Sequence, residues 1–192
     1  GETSEDHAVV DGIAYFYRDD GRHGYELWRS DGTELGTYLL RDVCPGACGS
    51  ERFRFATIEA VGDQVYFSGN DGIHGSELWV TDGTAAGTRM VADLVPGPKS
   101  SEPSGLAGGG GRLYFFAGER WSPGHRIYVS DGTGSGTRLL FGGPPDPFDG
   151  VAGSLAYRDG LLYVIEFQAG YRLWRTDGSL EQTFVLHPFF DH

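Results

Sequence analysis

Apolar residues fall along this chain in short runs bounded by Gly, Asp, Ser and Pro, and nowhere recur at helical spacing over a useful length. The runs are rich in Val, Ile, Leu, Tyr, Phe and Trp, so the pattern predicts short β-strands and no helix. The strongest runs are aromatic: IAYFY at 13–17, QVYFS at 64–68, RLYFF at 112–116 and LLYVI at 161–165. Each is apolar on consecutive positions, which predicts a strand covered on both faces. A smaller, moderately apolar strand precedes each of them (HAVVDG, ATIEAVG, SGLAGGG, GSLAYRD). An ELW-type run and a fourth strand follow.

These four-strand units repeat. YELWRSDGTELGTYLLRDV at 25–43 returns as SELWVTDGTAAGTRMVADL at 76–94, as HRIYVSDGTGSGTRLLFGG at 125–143, and in worn form as YRLWRTDGSLEQTFVLHPF at 171–189. The repeat units are approximately 1–46, 47–97, 98–145 and 146–192, and no boundary interrupts them, so 1–192 is read as one domain. Four-stranded units buried on both faces and repeated at this period are the mark of blades arranged around an axis. The predicted fold is therefore all-β, a four-bladed β-propeller with four antiparallel strands per blade. The first and last residues fall at equivalent points of the repeat, which predicts one closed, monomeric ring. An eight-bladed ring shared by two chains and a segment of a longer array are the alternatives. Closure matters because an open arc exposes two blade faces.

The Asp-Gly turns between the third and fourth strands explain themselves. Gly32, Gly83, Gly132 and Gly178 supply positive φ, and Asp31, Asp82, Asp131 and Asp177 accept nearby backbone N–H groups. Thr33, Thr84 and Thr133 add side-chain to backbone bonds. One recurring turn role accounts for all of these residues, so they are read as scaffold.

Through ELWRSDGTELGT and ELWVTDGTAAGT the chain resembles the bacterial ELWxxDGT-repeat proteins; IYVSDGT and LWRTDGS in units three and four depart from the motif. Pro45-Gly46 and Pro96-Gly97 match the PG that follows the fourth strand in that family. The resemblance implies a propeller-forming protein of extracellular or cell-surface location in a bacterium. The architecture is also similar to hemopexin-like propellers, and that likeness allows a cation such as calcium in the central channel. No cofactor is otherwise expected.

Charge narrows the partners. Fifteen Lys and Arg stand against twenty-seven Asp and Glu, a formal net charge of −12, and no basic stripe exists to grip phosphates, so nucleic acid is excluded as a partner. No apolar run approaches the length that spans a bilayer, and no signal peptide is read, so membrane insertion is not expected.

In an antiparallel meander the DGT turns lie at one end, and the second-to-third-strand loops share the other with the unit-to-unit connections. Variable loops on a rigid scaffold are where binding residues sit. The candidates at that end are Arg120, Trp121 and His125 of unit three, where an exposed indole beside two cationic or polar side chains suits a sugar ring or a protein partner. Asp20 and His23, with Asp71 and His74 at the matching positions, are the second set. Each of their loops offers too few oxygens for a hard cation, and no third or fourth zinc ligand recurs, so an Asp-Gly turn is the favoured reading and the metal is unknown. Cys44 and Cys48, the only cysteines, flank Pro-Gly; they are read as a small disulfide, which implies an oxidising compartment. No catalytic motif occurs. The acids Glu119, Asp146 and Asp149 are the nearest approach to a hydrolase pair. The expectation is a non-enzymatic binding module for a protein or glycan, with a purely structural repeat as runner-up.

Overall fold

The computed structural model describes residues 3–45, 57–118, 126–141, 151–167 and 171–188. The described residues form sixteen strands and no helix, in four antiparallel sheets of four strands. The first sheet contains β1 (Thr3–Val10), β2 (Ile13–Asp19), β3 (Tyr25–Ser30) and β4 (Tyr38–Leu39). The second contains β5 (Ile58–Val61), β6 (Gln64–Asn70), β7 (Ser76–Thr81) and β8 (Arg89–Ala92). The third contains β9 (Ser104–Gly109), β10 (Arg112–Ala117), β11 (Arg126–Ser130) and β12 (Arg138–Leu139). The fourth contains β13 (Val151–Arg158), β14 (Leu161–Phe167), β15 (Tyr171–Thr176) and β16 (Phe184–Pro188). Every sheet is a simple meander in chain order.

The first two strands of each sheet are joined by tight two-residue turns. Asp11-Gly12 and Asp159-Gly160 both have positive φ at each residue, 50° and 79° in the first and 52° and 83° in the second. That is the geometry that twists a hairpin the way its strands already twist. Short turns keep the strand order sequential, and each sheet completes itself before the next begins.

The sheets stack face to face. The first meets the second through Ala8, Tyr15, Tyr17 and Leu27 on one side and Val65, Phe67 and Trp79 on the other. The second meets the third through Tyr66, Leu78 and Val80 against Leu113, Phe115 and Ala117. The third meets the fourth through Phe116, Ile127 and Val129 against Leu155, Leu162 and Val164. Tyr17 also donates its buried hydroxyl to the Ser68 carbonyl at 2.5 Å, tying the first sheet to the second.

Two expectations are corrected here. The series of stacked sheets is open: β1 packs on β5, β5 on β9 and β9 on β13, but no packing of like extent returns from the fourth sheet to the first among the described residues. Four packed sheets are established, and a closed ring of four is not. In consequence, only the inner sheets have second strands buried on both faces. In β6 five consecutive residues are buried, whereas β2 and β14 bury alternate residues. The same consecutive apolar pattern in IAYFY and LLYVI therefore leaves one face of each outer sheet partly open.

Candidate functional site at the loop end

The DGT ends are self-contained. Asp31 Oδ1 accepts the Thr33 backbone N–H at 2.9 Å and the Thr33 hydroxyl at 2.7 Å. Thr33 Oγ1 in turn accepts from Gly36 N at 2.9 Å, and the Thr37 hydroxyl donates to the Thr33 carbonyl at 2.6 Å. The same bonds recur around Asp82, Thr84, Gly87 and Thr88, and around Asp131, Thr133, Gly136 and Thr137. The fourth copy builds the turn on Asp177 with Ser179 and Gln182. Hydroxyl and backbone N–H donation hold all four aspartates below the ordinary carboxylate range. Gly32, Gly83, Gly132 and Gly178 sit at φ of 86° to 97°. In the first three copies the Asp Oδ1 and the Thr hydroxyl are both used in closing the motif's own loop.

At the opposite end, the two DG-x-HG loops share one frame. Asp20 Oδ1 accepts the N–H of Arg22 and of His23, both at 2.9 Å, while Oδ2 meets His23 Nδ1 at 2.8 Å. Asp71 does the same with Ile73 at 2.9 Å and His74 at 2.8 Å, and meets His74 Nδ1 at 2.7 Å. Asp19 and Asn70 cap the preceding step by accepting from Gly21 N and Gly72 N. Backbone and ring donation from His23, with a second backbone bond from Arg22, holds Asp20 far below its usual range. Burial opposes the same effect at Asp71, but the bonds from His74 and Ile73 still lower it. The bond to Asp71 raises His74. These four residues are thus joined into rigid turns, and their carboxylates point into the loop. What each loop offers outward is its variable third position, the exposed Arg22 in one and Ile73, 67% exposed, in the other.

Beneath these loops lie two glutamates that the sequence reading passed over. Glu26 and Glu77, the first letters of the ELW motif, are buried. Glu26 Oε1 accepts the Cys44 N–H at 3.0 Å. Glu77 accepts Ser101 N at 2.9 Å, the Ser101 hydroxyl at 2.5 Å and Leu94 N at 3.1 Å. Each carboxyl therefore pins the chain as it leaves the fourth strand for the next unit. Burial pushes Glu26 up to about 7 against the hydrogen bonds from Cys44 and Val43, and burial likewise raises Glu77. Ser76 N donates to Ser100 Oγ at 2.9 Å, which sets the second-unit loop against the unit-to-unit connection. The signal was present in the recurrence of Glu before Leu-Trp. Units three and four carry Arg126 and Arg172 there, and in the fourth sheet the acid has moved across the strand pair: Glu166 opposes Arg172 as Arg18 opposes Glu26.

The other candidates are placed less fully. Arg120, Trp121 and His125, with Glu119, Asp146 and Asp149, lie outside the described residues. So does Cys48, and with it the expected pairing with Cys44, which is itself buried. Among the described residues no group of three or more His, Cys, Asp or Glu side chains is placed to hold a metal ion. A shallow cleft of about 480 Å³ lies away from this end, between Arg138–Phe141 of the third unit and Gly178 and Leu180 of the fourth unit's turn; it is open, and its lining is mainly apolar.

No protein-family model matches the chain, and no curated protein does. Solved structures do. A prolyl endopeptidase shares 16% identity over 94% of this chain and 25% of its own, with a TM-score of 0.61. A puromycin-hydrolyzing peptidase of Mycobacterium tuberculosis shares 19% over 94% of this chain and 30% of its own, with a TM-score of 0.57. A protein of Agrobacterium tumefaciens designated TolB shares 11% over 98% of this chain and 66% of its own, at 0.56. The chain thus spans about a quarter of the length of the prolyl peptidases it resembles. The expectation of a protein outside enzymology is overturned by this likeness, which runs to peptidases and covers their propeller-type portion. At such identities what the likeness carries is the fold: four consecutive sheets stacked in the manner of propeller blades.

Proposed function

We propose that this chain is a run of four propeller blades, of the ELWxxDGT-repeat type, that binds a protein or glycan partner through the end carrying the DG-x-HG loops. The observation that supports the reading is the division of labour within those loops. Asp20 with His23, and Asp71 with His74, make the same rigid frame twice, while the projecting residue changes from Arg22 to Ile73. A constant frame with a changing tip is how a repeated scaffold varies a contact surface without altering its fold. By their place in the sequence repeat, Arg120 and Trp121 are read as the unit-three counterparts of Arg22 and Ile73, with the indole as the aromatic anchor of the reading. The reading includes an extracellular or cell-surface setting, which the sequence resemblance supports and with which a disulfide between Cys44 and Cys48, if formed, would agree.

The test is a glycan array and a displayed peptide library probed with the intact chain and with Ile73→Asp, Arg22→Ala and Trp121→Ala variants. Loss of a selective ligand in these variants, with unchanged unfolding midpoints, supports the reading; a ligand retained by all three refutes it.

A second reading rests on the peptidase structures: the chain is the propeller portion of a larger hydrolase. Hydrolysis of prolyl peptides by the protein that carries this segment, altered in its size preference by the same loop variants, would favour it.

A further inference from the structure

The two outer sheets end the stack on faces that are not alike. The first sheet's outer face carries Ala14, Phe16 and Trp28, with Phe16 directly opposite Trp28 across the strands. These are the repeat equivalents of Val65, Phe67 and Trp79, where Phe67 opposes Trp79 and is buried under the first sheet. Phe115 opposite Tyr128 is the third instance, stacked at 5.6 Å and again covered, by the second sheet. An aromatic pair of this kind is thus what a sheet presents to the sheet before it.

The fourth sheet's outer face is the complementary half. Ala156, Tyr163, Ile165, Leu173 and Arg175 stand where the first sheet has Ala8, Tyr15, Tyr17, Leu27 and Arg29. The correspondence extends to detail. Arg29 lies opposite Tyr38 with its guanidinium 5.4 Å from the ring, and Arg175 lies opposite Phe184 at 4.6 Å. In the joint between the first two sheets, Arg29 donates to the Gly83 carbonyl at 2.9 Å, and the Tyr15 hydroxyl closes on Gly83 so tightly that a Cβ there would collide. Tyr66 does the same to Gly132. Gly32, the equivalent turn glycine of the first sheet, has no heavy atom within 4 Å of its Cβ position. Ile165 and Phe184 of this face are exposed, whereas Tyr15, Tyr17 and Leu27 in the made joint are buried.

We propose that the fourth sheet's outer face docks on the first sheet's outer face of a second copy of this chain, and the reverse, giving a two-chain ring of eight blades. Each contact repeats the joint already present between the first and second sheets: Tyr163 and Arg175 reach Gly32 as Tyr15 and Arg29 reach Gly83, and Ile165 covers Phe16 and Trp28. Unlike faces joined head to tail close into a ring when the rotation per blade permits, and eight blades are within the range that propellers adopt. This joint is separate from the loop end and does not depend on a ligand there.

The test is the solution mass of the intact chain by light scattering at micromolar concentration. The expected result is twice 20.8 kDa, falling to the single-chain mass in Ile165→Glu and in Phe16→Glu. Circular dichroism establishes that both variants fold. A second measurement does not need them: benzoylphenylalanine in place of Ile165, photolysed in a mixture of heavy and light chains, labels the peptide carrying Phe16 or Trp28 of the other isotope. A single-chain mass overturns the proposal, and so does a label that stays within one chain, as internal closure requires, or that reaches no aromatic pair. So does an open series of masses beyond two chains.

Discussion

Glu26→Gln tests whether the ELW glutamate is held as a neutral acid. Burial raises this carboxyl from 4.5 to about 7, so the folded state binds its proton more tightly than the unfolded chain. The stabilisation is fully present below the unfolded value and is lost as pH rises through the folded one. The window is therefore about pH 4.5 to 7, with stability falling toward neutrality. A displacement of 2.5, the difference between 7 and 4.5, corresponds to about 3 kcal/mol across that window. Glutamine keeps an oxygen to accept the Cys44 N–H but carries no proton to lose. Urea unfolding at half-unit steps from pH 4 to 8 should show wild type losing stability that the variant retains, the gap widening by about 3 kcal/mol. The turn aspartates do not confuse the result, because their lowered values place their own loss of stability below the ordinary carboxylate range. Parallel profiles for the two proteins would refute the argument and mean that Glu26 is ionised in the folded state.

The remaining expectations concern the scaffold. Asp82→Ala removes the acceptor for the Thr84 N–H and hydroxyl and should lower stability by about 1 kcal/mol; an unchanged denaturation midpoint would count against the turn's role. Phe115→Ala empties a fully buried position between the second and third sheets and should cost about 3–5 kcal/mol, read as a drop in midpoint with folding retained. Tyr17→Phe strands the Ser68 carbonyl that its hydroxyl satisfies and should cost about 1–3 kcal/mol; a neutral result would mean that water replaces the bond. Gly83→Ala should destabilise more than Gly32→Ala in the isolated chain. Both glycines have positive φ, at 86° and 88°, but only Gly83 is met by a tyrosine from the preceding sheet.

Much of the architecture was legible in advance for a local reason. Strand pattern and turn chemistry act over a few residues, so IAYFY, QVYFS, RLYFF and LLYVI lie within or coincide with β2, β6, β10 and β14, and the DGT segments form the turns their composition suggests. The candidate site was legible only in part. Asp20 and His23 were visible as a pair, but that both oxygens of the carboxylate are spent on the loop depends on φ and ψ across four residues. Glu26 and Glu77 were passed over because a charged residue in a strand looks solvent-facing until the chain that buries it, arriving from Cys44 or from Leu94 and Ser101, is in place.

Sequence alone determined the number of units, the four strands in each and the Asp-Gly turns between third and fourth strands, since hydrogen-bonding partners in a meander lie close along the chain. Whether the stack closes was decided in three dimensions. Closure depends on the angle accumulated between successive sheets, a sum over many small packing rotations to which no single residue is a guide. The consecutive apolar residues of the first and fourth units state that both faces want cover; only the stacked sheets reveal that one face of each is still waiting for it.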